Sequence, residues 1–177
     1  FSLQKINTMA YQKLQAGKAF TVNPSDNTGL PDPGLKGPSG ATTGTGGGGT
    51  QIIDANRTGD DINAFSTLKF TLAGVKPGMI AINTTDGTQS EVVQVVDETT
   101  IEVKDAIFGA SPKNYVIYGG VQEGAVFYVG TGGNVKITTA AGDDVTLVSL
   151  PTGSFVPVQT IKIFNTGTTA SNIIALW

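Results

Sequence analysis

Two pairs of adjacent aspartates are the groups in this chain best placed to do chemistry, Asp60-Asp61 in "TGDDIN" and Asp143-Asp144 in "AGDDVT". Neighbouring carboxylates can hold a cation or share a proton. Neither stretch follows the D-x-D/N-x-D/N-G spacing that wraps oxygen ligands around Ca2+. A glycosidase would need two carboxylates facing one another at about 5–9.5 Å across a cleft, whereas neighbours on a strand point to opposite faces. Asp-Asp bounded by Gly therefore reads as a turn former. The other candidate is "GTGGGG" (44–49), a literal match to G-x-G-x-x-G. That fingerprint binds a pyrophosphate only where it follows a buried strand and opens a helix. Here "LPDPGLKGPSGATT" precedes it and "QIIDANRTGDDIN" follows, with neither a strand-like apolar run nor helical periodicity. The glycines read as a tether, with Gly46, Gly47, Gly48 and Gly49 as a hinge.

Composition removes most other chemistry. The chain has no His and no Cys. Disulfides, Cys/His zinc sites, Ser-His-Asp and Cys-His arrangements, and the usual general base near neutral pH all go with them. Charged residues make up only 14% of the chain and the net charge is −3, with no Lys/Arg cluster, so no nucleic-acid footprint is expected. No apolar run approaches the ~20 residues needed to span a bilayer, and "FSLQKINTMAYQKLQ" is too polar for a signal-peptide core. Asn56-Arg57-Thr58 and Asn83-Thr84-Thr85 match the glycosylation sequon, which matters only in a secretory pathway. The expectation is a protein without enzymatic activity, cofactor or metal.

The elements that must carry these residues are mostly short strands. Residues 2–16 hold the one plausible helix, with Leu3, Ile6, Met9, Ala10 and Leu14 near one face; the alternative is an extended arm. "KAFTVNPSD" (18–26) reads as a strand stopped by Asn-Pro. Residues 32–63 read as a Gly/Pro-rich linker. From residue 64, "STLKFTL", "MIAINTT", "QSEVVQVV", "IEV" and "NYVIYGG" alternate between turn signals, including the hairpin dipeptide Asp86-Gly87. That pattern predicts a small barrel-like module over 64–122. The last stretch predicts strands at Ala125–Val129, Val135–Thr138, Val145–Leu150, Val158–Phe164 and Asn172–Leu176, the pattern of an antiparallel sandwich. Phe127, Phe155, Phe164 and Trp177 are expected in its core.

"FYVGTGGNVKITT" (127–139), "LPTGSFVPV" (150–158) and "NTGTTASNIIALW" (165–177) together resemble the head spike base proteins of tailed phages and gene-transfer agents. "FTVNPSDNTGLP" (20–31) resembles that family's short upstream element, which normally runs almost directly into the "YVG" strand. Here residues from about 32 to 122 stand between them. The insert is itself similar to small β modules of phage structural proteins, through "GMIAINTTDGTQSEVVQVVDETTIEVKDAIF" and "YVIY", with Gly78-Met79 where their outline has Gly-Asp.

The resemblance implies an all-β protein. Its parts would be an extended N-terminal arm or short helix (1–18), a discontinuous jelly-roll-like antiparallel β-sandwich (19–31 plus 123–177), and an inserted small β-barrel-like module. It implies a virion structural protein on the outer surface of a phage head, a capsid decoration or spike-base subunit. Its partners would be the major capsid protein, further copies of itself and a fibre protein, with no nucleic acid and no membrane. Phe1, Leu3, Ile6, Tyr11 and Leu14 would then form an arm that packs on the capsid or a neighbouring subunit. The alternative is a receptor- or glycan-binding module of a fibre or tail.

Overall fold

The computed structural model describes residues 16–64, 66–120 and 124–177. The expected N-terminal helix or arm lies outside them but for its last residues, and with it Phe1, Leu3, Ile6, Tyr11 and Leu14. The protein is all-β, two antiparallel sheets forming a sandwich, one of them strongly curled. In chain order the strands are β1 (Ala19–Thr21), β2 (Asp32–Ala41), β3 (Gln51–Ile53), β4 (Ile80–Asn83), β5 (Thr88–Val95) and β6 (Thr100–Val103). They continue with β7 (Asn114–Gly119), β8 (Ala125–Thr131), β9 (Gly133–Thr139), β10 (Asp144–Leu150), β11 (Ser154–Ile163) and β12 (Ser171–Leu176).

The first sheet runs β1-β12-β8-β11-β9-β10 and the second β2-β7-β4-β5-β6-β3. The chain contributes one short strand to the first sheet, builds the whole second sheet, and returns to complete the first. Ala19, Phe20 and Thr21 pair with Leu176, Ala175 and Ile174, so opposite ends of the sequence lie side by side. The Trp177 carbonyl accepts hydrogen bonds from the Gly17 and Lys18 amides at 2.5 and 3.2 Å.

Strict alternation builds the first core. Ala125, Phe127 and Val129 of β8 point inward with Val135 and Ile137 of β9 and Ile173 and Ala175 of β12, and Val22 and Leu30 join them. The second core gathers Ile52, Phe70, Val75, Ala81, Val92, Ile101, Val103, Phe108, Tyr115 and Ile117. The second sheet curls until the chain leaving β2 meets its far edge: Gly44 bridges Ile53, and the Thr43 amide donates to the Ile53 carbonyl at 2.7 Å.

Two stretches depart from expectation. Residues 32–63, read as a linker, are folded into the second sheet. β2 pairs with β7 despite Pro33 and Pro38, with register shifts between Asp32, Lys36 and Ser39. Its ladder is made by backbone groups and skips irregularly, so no alternation of side chains announces it. "STLKFTL", read as a strand, is a run of turns. The Leu68 amide donates to the Ala64 carbonyl at 3.1 Å, and the Leu72 and Ala73 amides to that of Lys69 at 3.0 and 2.9 Å. Leu68 and Phe70 are still buried while Leu72 is 49% exposed. Spacing by two matched the burial of Leu68 and Phe70, failed at Leu72, and did not match the backbone.

Candidate functional site: the groove between the sheets

β4 is the strand that exposes the relation between the two sheets, because all four of its residues are buried. A strand covered on one face would alternate. Ala81 faces the second core, whereas Ile80 and Ile82 cluster with Val116, Phe20 and Tyr118 on the opposite side. Phe20 belongs to β1 of the first sheet, so this outer face of the second sheet is covered by the first. Polar contacts flank the junction. The Gln89 side-chain amide donates to the Gly29 carbonyl at 3.1 Å, and Asn27 Nδ2 donates to Asp105 Oδ1 at 3.1 Å.

Beside this apolar contact lies a groove of about 390 Å³, lined by Phe20, Thr21, Asn23, Ile82, Thr84, Gly87, Val116 and Tyr118. Aromatic and aliphatic side chains make part of its lining, and Thr and Asn supply hydroxyl and amide groups. Among the described residues no charged side chain lines it, so these residues supply neither a general base nor electrostatic stabilisation of a developing charge. Its chemistry suits an uncharged surface or ligand with one apolar face.

The second polar centre is sealed. Arg57 is fully buried in a segment that the sequence marks only as Gly-rich. Its Nε donates to Asp54 Oδ2 at 3.2 Å and to the Tyr115 hydroxyl at 2.9 Å. Nη1 donates to the Leu68 carbonyl at 3.3 Å, and Nη2 to that of Ser39. The guanidinium carbon stands 5.1 Å from the Phe70 ring centroid and 5.6 Å from that of Tyr115. The Tyr115 hydroxyl completes the triangle by donating to Asp54 Oδ2 at 2.6 Å. Burial, reinforced by that bond, holds the phenol protonated well above its ordinary range. The guanidinium is fully buried and bonds to groups from β2, the 54–68 loop and β7, so the cluster ties these three together. One signal was present: Asp54 and Arg57 stand at i, i+3, just after an uncharged stretch from residue 37 to 53.

The aspartate pairs are used locally. Asp60 forms an ion pair with Lys69 at 2.9 Å, and Asp61 Oδ1 accepts from the Asn63 amide at 2.9 Å. Asp144 Oδ1 accepts from the Thr138 hydroxyl at 2.7 Å, and the Asp143 amide donates to the Thr139 hydroxyl oxygen at 3.2 Å. Among the described residues no three acidic groups converge on a possible metal position. Asn83 of the second sequon is fully buried and donates to Asp86 Oδ2 and the Ile107 carbonyl at 2.8 and 2.7 Å, so it presents no acceptor amide.

The glycines are not a hinge between sheets. Gly46, Gly47, Gly48 and Gly49 lie between β2 and β3 of the same sheet, and Gly47–Gly49 close a 3-10 turn. The Gly49 carbonyl accepts from the Phe108 amide at 2.8 Å. Gly49 has φ +103°, and a Cβ there would meet Gly109 backbone atoms at 3.0 Å. Close packing of two backbones, not bending, requires this glycine. Phe127 and Phe164 are in the core as expected, but Phe155 is 52% exposed, because its neighbour Val156 takes the inward position on β11. Lys136 and Lys162 both approach the Phe164 ring, at 4.4 and 3.9 Å from its centroid.

Comparison with protein-family models, with curated proteins and with solved structures finds no match for this chain.

Proposed function

We propose that the chain is a non-enzymatic virion structural protein, a capsid decoration or head spike-base subunit of a tailed bacteriophage, bound to the major capsid protein on the outside of the head. One observation supports this above the others. The segments carrying the family resemblance, 20–31 and 127–177, share the first sheet and its core, while the intervening residues form a sheet of their own. That is the arrangement expected of a spike-base-like sandwich with a module inserted in one loop, since insertions are tolerated where chain ends lie close together at the surface. Gly17 and Lys18 bond to Trp177, and the residues before them would form an arm over a capsid neighbour. There it would add affinity by multivalency to a symmetric assembly that could also seat a fibre protein.

The test is to mix the purified protein with undecorated capsids and measure co-sedimentation. Saturable binding that weakens on deleting residues 1–17 is expected. Absence of binding would sink the reading, and binding indifferent to the deletion would remove the arm from it. A second reading, a glycan- or receptor-binding module, is favoured by the uncharged groove between Phe20 and Tyr118. A reproducible glycan-array signal lost on Tyr118→Ala would support it over the first.

A further inference from the structure

We infer that β10 is a self-pairing edge, and that two copies of this chain join through it as antiparallel strands with Thr146 opposite Thr146. The inference deepens the self-association invoked above but does not depend on the capsid, so failure to bind capsids would leave it standing.

Among the described residues the other sheet edges are short, broken or engaged. β1 and β3 are three residues each, β3 is met by Gly44, and β2 is broken by register shifts around its prolines. β10 is seven residues long, pairs only with β9, and contains neither Lys nor Pro, two of the features that blunt an edge; its one charge, Asp144, and its bulge after Leu147 lie towards its two ends. Five of its seven residues are exposed, and Leu147 and Leu150 are half-buried against the first core.

The direction of its free backbone groups follows from the ladder. The Asp143 carbonyl accepts from the Thr139 amide at 2.9 Å, and Val145 and Leu147 stand opposite Ile137 and Val135. Hydrogen-bonded pairs alternate along an antiparallel ladder, so residues 143, 145 and 147 bond to β9. Asp144 and Thr146 then turn their N–H and C=O groups away from the sheet.

The side chains agree. Residues opposite one another share a face. Val145 therefore lies on the core side with Ile137, yet it remains 41% exposed, because among the described residues no strand follows β10 in the sheet to cover it. Val148, beside the bulge at Ser149, is 68% exposed.

The segment Asp144-Val145-Thr146-Leu147-Val148 is close to palindromic in character. About a two-fold axis at Thr146, Val145 meets Leu147 of the second copy on the core side, and Thr146 meets its own counterpart on the outer side. Asp144 falls opposite Val148, so no like charges are opposed. Thr-Thr and aliphatic pairs are favourable cross-strand neighbours, and an isologous contact of this kind closes on itself as a dimer. Five residues a side are far fewer than the 20–30 of a standard interface, so the isolated dimer is weak and concentration-dependent.

Sedimentation of the full chain should show a dimer fraction growing over roughly 10 μM to 1 mM, the range of a small interface. Thr146→Pro removes an outward N–H, and Val148→Lys places a charge on the edge. Both should keep the wild-type circular dichroism and melting temperature while remaining monomeric. Should the proline variant fail to fold, Val148→Lys alone decides. The chain has no cysteine, so Thr146→Cys should form a disulfide dimer on mild oxidation, the paired Cα atoms being about 5.5 Å apart. Ala141→Cys, in the exposed turn before β10, should not. A wild type that stays monomeric at 1 mM, folded edge variants that still dimerise, or equal cross-linking of the two cysteine variants would each overturn the inference.

Discussion

Phe20 and Tyr118 meet edge to face, ring centroids 5.4 Å apart and planes at 81°, one from the first strand of the first sheet and the other from β7 of the second. Edge-to-face rings gain beyond the area they bury. This pair joins two sheets that otherwise enclose separate cores.

Phe20→Ala should therefore loosen the junction more than either sheet. The expected loss is about 1–3 kcal/mol in urea unfolding, for a half-buried aromatic with a specific ring partner. Hydrogen exchange should accelerate at Ile80 and Ile82, which pack in the same cluster, while Phe127 and Val129 keep their protection. Equal acceleration in both cores would show that the pair is not the joint.

Arg57→Met should be far more damaging than its distance from any groove suggests. It leaves Asp54 buried and without its guanidinium, at a cost of about 3–5 kcal/mol. Removing the carboxylate as well, in Arg57→Met with Asp54→Leu, should recover part of that loss, because no unpaired charge is then left in the core. Urea denaturation of the two variants decides the matter.

Stability should be level across the neutral range and fall at both extremes. With no histidine, no side chain has an ordinary pKa between about 5 and 8. Asp26 is held below its usual 3.8 by the Thr166 amide and hydroxyl, Asp86 by Lys113, and Asp97 by the Thr99 amide. Groups lowered in the folded state contribute fully above 3.8 and lose their contribution as pH falls through the folded values, so melting temperature should drop below about pH 4. Tyr115 is raised, so its contribution is complete below the ordinary value of 10.0 and declines as pH rises past it. Tyr115→Phe should flatten the alkaline limb and leave the acid limb unchanged in melts across pH 2–11.5.

Two neighbouring glycines should differ. Gly48 has φ +68° with open space where a Cβ would go, whereas Gly49, at φ +103°, faces Gly109 backbone. Gly48→Ala should cost about 1 kcal/mol from backbone conformation alone. Gly49→Ala should cost about 2–4 kcal/mol, since neither backbone can yield without disturbing the Phe108 hydrogen bond. Equal losses in thermal melts would indicate that the turn is free to move.

Much of the strand content could be read directly. Val135 and Ile137, Ile173 and Ala175, and the hairpin at Asp86-Gly87 follow rules of alternation and turn chemistry that act within a few residues. β2 could not, because Pro33, Pro38 and its glycines carry no alternation and its ladder depends on β7, some 80 residues away. Phe155 could not either. The expected strand starts at Val158, whereas β11 begins at Ser154, so Phe155 lies on the strand and, with Val156 facing inward, falls on the outward face.

What the sequence by itself determined is local: an all-β chain of short strands, the turns between them, and the absence of imidazole and thiol chemistry. Only the tertiary structure decided which glycines are packed, that Arg57 is sealed against Asp54 and Tyr115, that Phe20 crosses to Tyr118, and that β10 stands at the edge of its sheet. The physical reason is range. Alternation and turns are written in neighbouring residues, whereas burial of a charge, closure of a sheet and exposure of an edge depend on which distant strands arrive beside them.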